Sequence, residues 1–142
     1  MKVEVFDGWP EELAEALVGL VPQLSKSNPP PSVDAVKAML ASDAITQFVA
    51  RADDGTIVGV STLAVFSIPT GKRAWIEDVI TDDAARGQGI GEALTRAMLD
   101  RARELGCVTV DLTSRPSREA ANRLYQRVGF QPRETNIYRF EL

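Results

Sequence analysis

The sequence predicts an α/β (α+β) domain, with a mixed, mostly antiparallel sheet of about six to seven strands flanked by four helices. Three observations carry that expectation. Residues 44–81 alternate apolar and polar side chains between turn residues, the mark of an antiparallel meander. The period then changes, and Gly89 to Leu105 places Ile90, Ala93, Leu94, Ala97, Met98, Ala102 and Leu105 on one helical stripe. Beyond it, an apolar strand, a second amphipathic helix and a last alternating segment follow in turn. At 142 residues, one domain covering 1–142 is expected, with no internal repeat, low-complexity tract or linker.

Each element has its own cause. Val3 and Val5 flank Glu4 as in a short first strand. Glu11 to Leu20 carries Leu13, Ala14, Leu17, Val18 and Leu20 at helical spacing, and Gly19 and Pro22 are expected to end it. Asn28-Pro29-Pro30-Pro31 is a stiff connector, after which Ser32 caps a helix over Val33 to Leu40. Ala44 to Ala52 and Thr56 to Phe66 are strands joined by the Asp53-Asp54-Gly55 turn, and Arg73 to Thr81 returns after Pro69-Thr70-Gly71. Gly106 stops the long helix. Cys107 to Leu112 reads as a buried strand, Ser117 to Val128 as a helix closed by Gly129, and Thr135 to Leu142 as a final strand.

Composition excludes several chemistries. There is no histidine and a single cysteine, which removes Ser-His and Cys-His catalysis, internal disulfides and cysteine-rich metal sites. No metal is expected, and acid-base work falls to carboxylates, tyrosine, lysine or water. Cys107 begins an apolar run after Gly106 and reads as a packed residue rather than a nucleophile. The net charge of −4 argues against nucleic acid, whose readers present a basic face. Neither a membrane span nor a signal peptide is visible, so a cytoplasmic location is the default expectation. Residues 1–70 hold 4 basic and 9 acidic side chains and residues 71–142 hold 12 and 11, so an acidic half stands beside a near-neutral, arginine-rich half, a division that suits a cationic substrate beside an anionic cofactor.

The segment Arg86-Gly87-Gln88-Gly89-Ile90-Gly91 opens the long helix with three glycines at alternate positions, where helix propensity disfavours them. Their use there is exposed backbone. Without Cβ atoms, a diphosphate can approach the unpaired N–H groups of the first turn, at the positive end of the helix dipole. The segment is no Walker loop, because Gly71-Lys72-Arg73 lacks the spacing and the following Ser/Thr. Nor is it a dinucleotide fingerprint, since Glu92 stands where a third small residue belongs and the preceding strand is part of a meander.

These residues resemble the Arg/Gln-x-x-Gly-x-Gly/Ala motif of the GNAT N-acetyltransferase superfamily. Ala121-Asn122-Arg123-Leu124-Tyr125-Gln126-Arg127-Val128-Gly129-Phe130 is similar to that family's second conserved stretch, one helix and one strand further on. The order of elements is also that of the GNAT acyl-CoA N-acyltransferase fold, so the resemblance covers nearly the whole chain.

The resemblance implies a donor, acetyl-CoA, and roles for named residues. The backbone of Val79, Ile80 and Thr81 would hold the pantetheine arm, with an amide near Val79 polarising the thioester carbonyl. Arg86, Gly87, Gln88, Gly89, Ile90 and Gly91 would take the pyrophosphate. The Asn122 side chain would contact the cofactor, and Tyr125 would lie near the sulfur and protonate the departing thiolate. Trp75-Ile76-Glu77-Asp78-Val79 resembles the strand of the sugar-phosphate amine branch, whose acidic residue matches Glu77 and would serve as general base. Strand alternation sends Glu77 and Asp78 to opposite faces unless the strand bulges.

The acceptor decides how much the base matters. Freeing the lone pair of a lysine-type amine at pH 7 costs about 4.6 kcal/mol, whereas an α-amine costs about 1 kcal/mol. The expected reaction is direct attack of a neutral primary amine, on a small molecule or a peptide, without an acyl-enzyme. Exposed strand edges leave a homodimer open. Two rival readings remain at this level: a non-catalytic GNAT-like module that binds acyl-CoA as a sensor or assembly partner, and an unrelated anion-binding α/β protein. Intact Asn122 and Tyr125 argue for the enzyme.

Overall fold

The computed structural model describes all residues, 1–142. Strand β1 (Lys2–Val5) leads into helices α1 (Pro10–Leu24) and α2 (Val33–Leu40). Strands β2 (Ile45–Arg51), β3 (Ile57–Ile68) and β4 (Gly71–Thr81) follow, then a 3-10 turn (Asp83–Ala85), α3 (Ile90–Glu104), β5 (Thr109–Asp111) and α4 (Glu119–Val128). The five strands lie in the order β1-β2-β3-β4-β5. Neighbours are antiparallel except β4 and β5, which run parallel because α3 carries the chain across the sheet between them.

Each face of the sheet has its own core. Leu13, Leu17 and Leu20 of α1 and Val36 of α2 close over Val49, Val60 and Ile80. On the opposite face Ile90, Leu94, Met98 and Ala102, the stripe read in the sequence, cover Phe48, Leu63, Ala74 and Ile76. Each of the buried Val, Leu, Ile, Phe and Met side chains contributes about 1.5–3 kcal/mol by leaving water, and the alanines less. Gly59 lets α3 come this close: a Cβ there would stand 2.7 Å from Ile90 Cγ2 and 3.3 Å from the Ile80 carbonyl oxygen.

The helix signals need one adjustment. α1 runs past Pro22 to Leu24, although Gly19 and Pro22 predict an earlier end. The buried row Leu13, Leu17, Leu20 outweighs the lost backbone bond, and Gln23 Nε2 donates back to the Gly19 carbonyl at 3.0 Å. In α2 the expected cap is present, Ser32 Oγ accepting from the Ala35 N–H at 3.1 Å.

Two strand expectations are corrected. The sheet has five strands rather than six or seven, because Thr135–Leu142 forms none: residues 131–142 carry no regular structure and all are exposed. Tyr138, Phe140 and Leu142 form the apolar row of that alternation, with Ile137 on the opposite side, and all four side chains are exposed. Beyond Cys107, β5 shrinks to Thr109–Asp111. The Cys107 N–H instead closes the end of α3 on the Ala102 carbonyl at 3.0 Å, and the residue is half-buried.

The middle of β4 departs from regular pairing. Thr62 is opposite Glu77 and Val60 opposite Ile80, so Ser61 alone faces both Asp78 and Val79. This is a β-bulge, and Asp78 takes the extra residue's turn at φ 49°. Aspartate tolerates that left-handed conformation better than most residues.

Candidate active site

The site begins with a gap in the sheet. β5 pairs with β4 only at Arg73, Ala74 and Trp75, so the ladder on that side stops just before the bulge. From Ile76 to Thr81 the β4 edge is open, and its main-chain groups are available to an extended ligand in the manner of an added strand.

The open edge runs directly into the glycine segment. Asp82 Oδ1 accepts from the Ala84 N–H at 3.1 Å, and Gln23 Oε1 of α1 accepts from the Asp83 N–H at 2.8 Å, which pins the turn. Gly87 and Gly89 then adopt φ of 79° and 75°, left-handed values that favour glycine. The first intrahelical bond of α3 is Ala93 N–H to the Gly89 carbonyl at 3.0 Å. None of the amides from Gly87 to Glu92 donates to a protein acceptor. A helix start with this many free donors and no side-chain cap is the donor set a diphosphate requires. Gly91 has a different duty: a Cβ there would lie 3.3 Å from Leu124 Cδ1, so its absence lets α4 approach α3.

A cleft of about 820 Å³ joins these parts. Of the residues named from the sequence, Val79, Ile80, Thr81, Arg86, Gly87, Gly89, Ile90, Gly91 and Tyr125 line it. Gln88, Asn122 and Glu77 do not. Gln88 instead borders a smaller cavity beside Asp82 and Ala84. Arg86 pairs with Asp83 at 2.7 Å on the exposed rim.

Tyr125 and Asn122 are neighbours on α4 but meet different surroundings. The Tyr125 ring packs edge-on against Phe130, centroids 5.8 Å apart, and the Phe130 N–H returns to the Tyr125 carbonyl at 2.9 Å. Burial pushes the phenol pKa up, with nearby Arg118 opposing, so the hydroxyl stays protonated at neutral pH. Asn122 turns its amide nitrogen to the carbonyls of Arg115 (2.9 Å) and Arg118 (2.8 Å), which fastens the loop that leads into α4.

Glu77 stands two residues before Val79, with the bulged Asp78 between them. Ala74 and Ile76 alternate toward α3, so Glu77 belongs to the α1 face of the sheet. Burial, and then the adjacent Asp78 carboxylate, raise its pKa above the usual carboxylate value. The bulge intervenes between Glu77 and the cleft-lining Val79, and it cancels the strict alternation that would otherwise relate Glu77, Asp78 and Val79.

Residues 13–130 match the model of the acetyltransferase (GNAT) family. The chain belongs to the GNAT acetyltransferase family. A curated relative, glucosamine 6-phosphate N-acetyltransferase 1 of Oryza sativa subsp. japonica, is 32% identical over 114 residues, 74% of this chain and 68% of the relative. Among solved structures, a Trypanosoma brucei acetyltransferase superimposes with a TM-score of 0.80 at 26% identity, covering 99% of both chains. An aminoglycoside N-acetyltransferase in complex with CoA gives a TM-score of 0.79 at 18% identity over 99% of each chain, a likeness of fold. The family uses acetyl-CoA.

Sequence reading of this acetyltransferase missed several cleft residues. Gln23 and Leu24 arrive from α1, which motif spacing cannot show. Arg118 and Arg123 add positive charge to the α4 wall and make no carboxylate pair. The surplus of arginines in the second half of the chain was their only signal. Glu92, an acid in the first turn of α3, is neutralised by Arg96 (2.8 Å) and Arg127 (3.0 Å).

Proposed function

We propose that this chain transfers an acetyl group from acetyl-CoA to the primary amine of a small molecule or peptide, by direct attack of the neutral amine on the thioester. The observation that carries the reading is the continuity of the open β4 edge, Ile76 to Thr81, with the unpaired amides from Gly87 to Glu92. An extended arm on the first and a diphosphate on the second would bring the thioester to the bulge. When bound, acetyl-CoA supplies the activated acyl carbon, and every other contribution comes from the protein.

In this reading the Val79 amide, in the bulge, hydrogen-bonds the carbonyl oxygen as negative charge develops there. A single donor of this kind is worth about 2.7–4 kcal/mol in acyl transfer. Glu77 takes the proton from the amine on the α1 face, directly or through water, and Tyr125 gives its phenolic proton to the thiolate. Arg86, Gln88 and Ile90 border the phosphate cradle. Asn122 acts on the cofactor through the 115–118 loop that it holds. Cys107, at the far end of α3, takes no part. In this reading no residue of the mechanism requires a metal, and the enzyme works in the cytoplasm, in keeping with the lack of any helix long and apolar enough to cross a membrane.

The acceptor named for the rice relative, glucosamine 6-phosphate, heads the substrate panel, followed by polyamines, aminoglycosides and peptides with free α-amines. Acetyl-CoA and each acceptor are mixed with the protein and free thiol is followed. Thiol release that saturates with one acceptor class supports the reading. A folded protein that releases none with any amine overturns it.

The reading extends to a homodimer. The alternating segment Thr135–Leu142 lies exposed, β5 presents an unpaired outer edge, and none of the residues of α4 is fully buried. The segment of one copy would add to β5 of the other and cover the helix that carries Tyr125. Sedimentation of the whole chain as a dimer, and of a chain ending at Phe130 as a monomer, is the expected outcome. A monomeric whole chain contradicts it.

A further inference from the structure

Away from the cleft, one polar side chain in the α1-side core has all its hydrogen bonds fixed. Gln47 of β2 is 5% exposed, and its Nε2 donates to the carbonyls of Ser61 (2.9 Å) and Phe48 (3.1 Å). Two carbonyl acceptors on the nitrogen settle which end of the amide is which, so Oε1 must accept. It does so from Thr62 Oγ1, at 2.8 Å. The register continues this row across the sheet: Gln47 is opposite Thr62, and Thr62 is opposite Glu77. Directly opposed residues on one face bring their Cβ atoms within about 4.5–5.5 Å.

We propose that Gln47 and Thr62 are positioning residues for Glu77: they hold the Thr62 hydroxyl hydrogen away from the carboxyl and offer it lone pairs only, and so set the pH at which Glu77 takes up a proton. A hydroxyl has one hydrogen and two acceptor sites. With the hydrogen given to Gln47, Thr62 can accept from a protonated Glu77 but cannot donate to an ionised one. Hydrogen bonding to the neutral form favours that form, whereas a donated bond would favour the carboxylate. Burial and the Asp78 charge push Glu77 in the same direction.

The basic group on the same face of β4 is Arg73, which bonds Thr109 and Thr70 at the far end of the strand, and no basic group is among the causes that move Glu77. β3 has no ionisable side chain along its length, and neither has α1 from Ala16 to Leu24, the end near β4. The other acids near this face are Asp78 and, across from Trp75 on β5, Asp111. The benefit to function follows from matching. A carboxylate with an ordinary proton affinity is a poor base for an amine, and one held toward its neutral form is a better one.

The proposal rests on Glu77 as the general base, and its test separates the two claims. The Glu77 carboxyl is titrated by carbon-13 NMR of glutamate-labelled protein, assigned by its absence from the Glu77→Gln spectrum. Gln47→Met, close in volume, frees the Thr62 hydrogen to turn toward Glu77. The midpoint is expected to fall by about one pH unit, and the acidic limb of kcat/KM should move down with it. In a Thr62→Ala background the same Gln47→Met change should do nothing, while Thr62→Ser keeps the parental midpoint.

A Gln47→Met protein with an unmoved Glu77, or with the same shift in the Thr62→Ala background, overturns the proposal. If Gln47→Met does not fold, Thr62→Ala against Thr62→Ser decides it, and equal midpoints for those two count against it. Should Glu77→Gln leave turnover intact, the base assignment fails instead, while the titrations still report whether Gln47 and Thr62 govern the carboxyl.

Discussion

At the scale of single residues, Tyr125 and Gly89 give the sharpest tests. Tyr125 sits half-buried with its proton retained, the state a general acid needs. Tyr125→Phe keeps the ring against Phe130 and removes only the hydroxyl, so kcat should fall by about 10²-fold or more while calorimetry finds acetyl-CoA affinity little changed. Equal losses in both would make the residue structural. Gly89→Ala forces a side chain into the left-handed region at a cost of about 1–2 kcal/mol, with open space around it. Its melting temperature should drop modestly, and its coenzyme A affinity should drop with it, because the amides of the first turn are re-aimed. The pH profile of kcat/KM carries a third expectation. Glu77 must be ionised to act and its pKa is raised, so the acidic limb should lie above the ordinary carboxylate range, with activity lost as pH falls through it.

At the scale of elements, helix position and the β1–α1 attachment matter most. Gly59→Ala should push the start of α3 off the sheet, because Ile90 Cγ2 is 2.7 Å from the added carbon and fully packed. A loss of about 1–3 kcal/mol in chemical denaturation, together with weaker coenzyme A binding, is expected. Unchanged binding would mean that the helix start tolerates displacement. Arg51 of β2 ties Glu4 of β1 (2.8 Å) to Glu12 of α1 (2.6 Å). The bonds from Lys2 and Arg51 hold the Glu4 pKa below its usual value. Its stabilising effect is therefore present above the unfolded-state pKa and disappears as pH falls through the lower folded value. The difference in melting temperature between the parent and Arg51→Met should shrink below about pH 4.

Elements also show where the sequence is legible. The α3 stripe, the Ser32 cap and the meander turns follow local rules, and each lies where its own residues place it. α1 overruns Pro22 because burial of Leu13, Leu17 and Leu20 is a tertiary effect that no breaker residue reports. Thr135–Leu142 has the alternation of a strand, but alternation describes a face and not a partner, and the segment pairs with no strand of the sheet. The bulge at Asp78 was visible only as a condition on how Glu77 and Asp78 could be arranged.

On the scale of the whole molecule, α3 delivers the glycine segment to the place where β4 and β5 part. The glycine motif and the Asn122-to-Tyr125 stretch were readable because a backbone cradle demands particular residues at particular spacing. Gln23, Arg118 and Arg123 were not, since their convergence depends on the packing of α1 and α4 against one gap. The central claim is that this convergence grips the diphosphate of coenzyme A. Isothermal titration of the folded protein with coenzyme A tests it most directly. Saturable one-site heat, weakened in Gly89→Ala, is the predicted result; a folded protein that shows no heat and no saturation would contradict the account.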